Sequence, residues 1–126
     1  MHVHYGFHDK IAKFDDEMKV KLLDFRIDFL KEELNEIIDN KENPEEVVDG
    51  LIDLIVVAVG TLDLFEIDAI KAWNDVHVAN MSKEVGIKPS RPNPLGLPDL
   101  VKPEGWKPPS HEGNHGTLPS TKDGQE

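Results

Sequence analysis

Proline decides where this chain can be helical. Eight of its nine prolines, and six of its nine glycines, lie beyond Lys83. Proline lacks the amide donor that a helix interior needs, and its ring clashes with the preceding turn. Residues 84–126 therefore cannot form a long helix, and they carry little alternating apolar pattern that would make strands. Residues 1–83 contain only Pro44 and are free to be helical. Charge divides at the same place, with 19 acids against 9 bases before the boundary and 6 against 5 after it. The expectation is a helical catalytic domain over residues 1–83 and a Pro/Gly-rich tail over 84–126. That tail is expected to be partly ordered to about residue 109, with the end from about residue 111 disordered.

The balance of 14 bases against 25 acids, a formal charge of −11, has the wrong sign for gripping nucleic-acid phosphate. There is no cysteine, which removes disulfides, thiolate metal sites and cysteine nucleophiles. The N-terminus has neither the basic nor the apolar region of an export signal. The apolar run from Leu51 to Val59 is too short to span a bilayer and contains Asp53. No membrane partner is expected, and the setting implied is cytoplasmic.

Leu23, Ile27, Leu30, Leu34, Ile37 and Ile38 recur at helical spacing and predict an amphipathic helix over residues 16–39. A short connector follows. Asn43 suits the N-cap of the next helix and Pro44 its first turn, with Glu45 and Glu46 at the positive end of the dipole. That helix should run to residue 65, with a third over residues 68–83 and a short one over residues 7–14. Short links between them predict an all-α antiparallel bundle. The second long helix is apolar nearly all round from Leu51 to Val59, so it should sit centrally. Three small helices cannot cover it, which predicts a homodimer or homotetramer.

The residues that point to chemistry are acids. The first long helix carries Glu32, Glu33 and Glu36, and the second carries Glu46, Asp49 and Asp53. At about 100° per residue, Glu46, Asp49 and Asp53 fall within roughly 60° of one another. In a hairpin of two helices, residues whose numbers sum to about 85 lie level. Glu36 then faces Asp49, Glu32 faces Asp53, and Glu33 lies between. Four or five carboxylates meeting there would repel strongly, and a divalent cation resolves the conflict. An all-oxygen donor set favours Mg²⁺ or Mn²⁺. The plainer reading of Glu32, Glu42 and Glu45 is a solvated helix face. Asp53 fits it less well, being the only polar residue between Leu51 and Val59.

The ordered set Glu32-Glu33-x-x-Glu36, Glu46-x-x-Asp49, Asp53 and Asn80-Met81-Ser82-Lys83 resembles the MazG-like all-α nucleoside triphosphate pyrophosphohydrolases. It is most similar to the short phage and bacterial members that look like phosphoribosyl-ATP pyrophosphohydrolase. Phe7-His8, Arg26 and the tail segment from Lys102 to Pro109 extend the resemblance over roughly residues 7–109. It implies hydrolysis of an NTP or dNTP, with purines such as dGTP or GTP as candidates. Cleavage would fall between the α- and β-phosphates with Mg²⁺ or Mn²⁺, giving NMP and pyrophosphate in nucleotide-pool control. Glu33, Glu36, Glu46, Asp49 and Asp53 are the expected metal ligands. Glu32, Glu33 and Glu36 form the expected catalytic set, with Glu32 orienting water or taking its proton. Arg26, Asn80 and Lys83 are the expected substrate contacts.

Other readings stand beside these. Lys83 also suits the C-terminal end of a helix as a cation on the dipole. Arg26 is either an ion-pair partner for a neighbouring acid or a phosphate contact from an adjoining subunit. His2 and His4 read as incidental, His8 as a cap or packing residue, and His77 as structural or substrate-facing. Trp73 reads as core. Trp106 either clamps over a base or docks on a neighbouring subunit. Two alternatives for the whole protein remain: a phosphoribosyl-ATP pyrophosphohydrolase, or a non-catalytic acidic helical module that binds a protein.

Overall fold

In the computed structural model, residues 10–11, 13–88 and 94–120 are described. The fold is all-α in class: α1 (Asp16–Asp39), α2 (Pro44–Leu64) and α3 (Ala69–Met81), followed by a two-stranded ladder of β1 (Glu84–Gly86) and β2 (Asp99–Val101). Of the short helix expected over residues 7–14, residues 10 and 11 are helical and residues 7–9 and 12 lie outside the described part. His2, His4 and His8 lie outside it as well.

The helix boundaries follow local chemistry. At α1, the Asp15 carboxylate accepts from the Met18 amide at 2.9 Å and caps the first turn. At α2, Asn43 accepts from the Glu45 and Glu46 amides with Pro44 behind it, as the sequence predicts. The end of α2 is less regular. The Glu66 amide donates to Asp63 O at 3.0 Å and the Ile67 amide to Leu62 O at 3.0 Å, the paired bonds of a Schellman cap. The left-handed position of that cap, usually glycine, is Glu66 at φ 59°.

By its contacts the chain forms two compact units, Met1–Ala69 with His115–Glu126, and Ile70–Asn114. In the first unit α1 and α2 form an antiparallel hairpin, drawn closest where Gly50 meets Ile37. A β-carbon at Gly50 would lie 2.5 Å from Ile37 Cγ1. Phe65, fully buried, centres a cluster with Ile11 and Leu64, against which Phe14, Leu22, Leu23, Ile67 and Leu118 pack. Leu118 reaches it because the Thr117 amide donates to Phe65 O at 2.7 Å. The stretch from residue 111 to 120, expected to lack fixed structure, is thus tied to the core by backbone bonding that composition does not reveal.

The second unit also crosses the boundary expected at Lys83. The β1–β2 ladder pairs Glu84 with Val101 and Gly86 with Asp99, and the Trp106 indole Nε1 donates to Ala79 O at 2.8 Å. Both features bind tail residues into the unit that contains α3. Trp73, expected in the core, is 74% exposed, whereas Trp106 docks on α3 of its own chain. Within a single chain α2 is not central either: Val48, Ile52, Ile55 and Val59 form an exposed stripe. Among the described residues no helix is long and apolar enough to cross a membrane.

Candidate active site

The acidic residues sit where α1 and α2 run side by side. Three independent contacts fix the register: Ile37 against Gly50, Glu33 against Asp53, and Arg26 against Thr61 and Val57. All lie close to the pairing rule expected for a hairpin turning near Glu42, because equal rise per residue keeps opposed positions level.

Glu33 is the centre of the cluster. Its Oε1 is shut off from solvent and has no hydrogen-bond partner. Its carboxyl is pushed above the ordinary value, first by burial, then by the charges of Glu36, Asp53 and Glu32, and last by a hydrogen bond with Asp53. Glu33 and Asp53 are thereby brought near each other across the hairpin. Glu32, Glu36, Glu46, Asp49 and Asp53 are all exposed. Glu46 and Asp49 are not among the charges acting on Glu33. Among the described residues no three Asp, Glu or His side chains gather in a geometry that would hold an ion. The expected convergence of four or five carboxylates is reduced to the Glu33–Asp53 contact with Glu36 and Glu32 close by. Mutual repulsion favours such splayed side chains. The donor set still suits a hard divalent cation: it is all oxygen, and it includes one sealed oxygen lacking any partner.

Arg26 is held by α2. Its Nε donates to Thr61 Oγ1 at 3.0 Å and its Nη2 to Val57 O at 3.1 Å, with the guanidinium 5.5 Å from the Phe29 ring centre. Burial alone lowers its pKa. Its fixed partners are therefore a hydroxyl and a carbonyl rather than the acid that sequence reasoning offered. Thr61 is a partner that reasoning missed, although the pairing rule places it opposite Arg26. The rest of Arg26 lines an apolar cavity of about 310 Å³, with Phe14, Leu22, Phe25 and Leu64 in its walls and Lys10 beside them.

In the second unit, Asn80 is exposed near the end of α3 and Lys83 follows the helix, partly buried. Lys83 Nζ lies 5.2 Å from the Trp106 ring centre, and Lys102 Nζ lies at the same distance. Lys102 opens the tail segment that extends the resemblance, which gave it no role of its own. His77 is exposed.

An acid-rich helical hairpin inside an all-α fold defines the class: a MazG-like pyrophosphohydrolase. The family model for phosphoribosyl-ATP pyrophosphohydrolase matches residues 2–80, and the chain belongs to that family. It is accordingly an enzyme that hydrolyses a nucleotide pyrophosphate bond. The match takes in Arg26, all six acids and Asn80, and stops short of Lys83 and the tail. No curated protein and no solved structure matches the chain.

Proposed function

We propose that the protein hydrolyses an NTP or dNTP between the α- and β-phosphates, releasing NMP and pyrophosphate, and that it needs Mg²⁺ or Mn²⁺ to do so. The observation that carries this reading is the Glu33–Asp53 pair: two acids forced together across a helix hairpin, one with a sealed and partnerless oxygen. Glu33, Glu36, Glu46, Asp49 and Asp53 are the residues that would hold the cation. Bound there, it would polarise the phosphate linkage and neutralise charge on the leaving pyrophosphate. Glu32, exposed and adjacent, is the acid left to orient the attacking water and accept its proton. Arg26 gives two of its five N–H groups to α2. Its remaining donors face a nucleotide from the edge of the apolar cavity, whose walls suit a planar base. Asn80 and Lys83 contact sugar and phosphate, and neither nucleic acid nor membrane is a partner. The exposed apolar stripe of α2 supports a homodimer or homotetramer, because burying it removes apolar surface from water.

Phosphoribosyl-ATP is the second candidate substrate, favoured by the family match. One experiment separates the two. The protein is incubated with NTPs, dNTPs and phosphoribosyl-ATP in the presence of Mg²⁺ or Mn²⁺, and the products are resolved. NMP with pyrophosphate from a triphosphate supports the proposal; NDP with phosphate contradicts the cleavage position. Turnover of phosphoribosyl-ATP alone would overturn the substrate assignment.

A further inference from the structure

The β1–β2 ladder does something the acidic hairpin does not need. Glu84 pairs with Val101, so the next opposed positions along the antiparallel ladder are Lys83 and Lys102. Both ammonium groups lie 5.2 Å from the centre of the same indole, that of Trp106. The ring is not free to turn away, because its Nε1 is anchored to Ala79 O at 2.8 Å and Ala79 is buried at the end of α3. Among the described residues neither lysine is paired with a carboxylate, in a chain where acids outnumber bases by 25 to 14. Like charges placed opposite each other on a ladder repel. The negative face of an indole compensates part of that repulsion, and a bound anion compensates the rest.

We propose that Lys83, Lys102 and Trp106 form an anion site for a diphosphate group. Each ammonium takes phosphate oxygens while the anchored indole holds the two cations together. This inference goes beyond the function proposed above and stands on the second unit alone: the group it takes is a diphosphate such as free pyrophosphate. Lys102 and Trp106, like Lys83, lie beyond the family match, which ends at residue 80. Trp106 is a positioning residue, and Lys102 contacts the anion.

The full-length protein supplies its own probe. Trp73→Phe leaves Trp106 as the only tryptophan. Inorganic pyrophosphate titrated into this variant, in EDTA so that no divalent ion contributes, should change Trp106 emission saturably. Lys102→Met should weaken that binding about fivefold, the loss of one charge-assisted contact partly screened by solvent, and Lys102→Arg should restore it. Lys107→Met should leave it unchanged. Equal pyrophosphate affinity in the parent and in Lys102→Met, or no emission change at saturating pyrophosphate, would overturn the subsite. Pyrophosphate binding that depends on Lys102 without any nucleotide turnover would support the subsite and refute the proposed activity; turnover without such binding would do the reverse.

Discussion

Glu33 shows how one side chain records the conflict between packing and charge. Its carboxyl is raised by burial and by three neighbouring acids, so the folded protein holds that proton more tightly than the unfolded chain does. The sign follows from proton linkage. Glu33 favours folding at pH below the ordinary carboxylate range, and this contribution is lost as pH rises through its folded value. Glu33→Gln should therefore raise the melting temperature of the metal-free protein at pH 8, with the gain shrinking toward pH values where the carboxyl is protonated in both states. Thermal melts across pH in EDTA measure this, and a lower melting temperature for the variant at pH 8 would contradict it. Added Mg²⁺ should stabilise the parent at pH 8 more than it stabilises Glu33→Gln. The same carboxylates are required for turnover in a different way. Glu36→Gln and Asp49→Asn should each lower kcat by at least about a hundredfold, as removal of a charged group acting on the transition state does. Because both residues are exposed, far-UV circular dichroism should remain that of the parent.

At the scale of elements, the α1–α2 hairpin depends on a close approach that only glycine permits. A methyl group at position 50 would meet Ile37 Cγ1 at 2.5 Å, well inside van der Waals contact. Gly50→Ala should cost about 1–3 kcal/mol from overpacking, more than the gain of roughly 1 kcal/mol in helix propensity. Chemical denaturation measures the balance, and a stabilised variant would show that the helices part easily. The opposite outcome is expected at the end of α2. Glu66 occupies the left-handed position of the cap at φ 59°, so Glu66→Gly should stabilise by about 1 kcal/mol by relieving that conformation. The helix starts were legible beforehand, because Asn43, Pro44 and the apolar period are local signals. The cap at Glu66 was not, since nothing about a glutamate marks it for a left-handed turn.

For the whole molecule, the exposed stripe of Val48, Ile52, Ile55 and Val59 is the feature a single chain leaves unresolved. These residues recur at helical spacing, so they form one apolar surface rather than scattered contacts. Ile55, 58% exposed in one chain, is expected to be buried between copies. Ile55→Asp should then give a monomer by sedimentation while the parent is a dimer or tetramer. A monomeric parent would show that the stripe meets some other surface. The tail bears on the same scale. Sequence reasoning placed a domain boundary at Lys83, where composition changes, but the compact units divide between Ala69 and Ile70. Residues 84–114 fold with α3, and Thr117 returns to Phe65 in the first unit.

The sequence alone was enough to establish the long helices and the hairpin register. Each of these follows from interactions within a few residues or from the constant rise of a helix, and both can be read along the chain. Tertiary structure decided the rest: that Arg26 bonds to Thr61, that Glu33 carries the sealed oxygen, and that Trp106 anchors on Ala79 with Lys83 and Lys102, which flank the two strands, beside it. Those contacts join residues between 4 and 35 positions apart, and composition carries no record of which partners a chain will bring together over such separations.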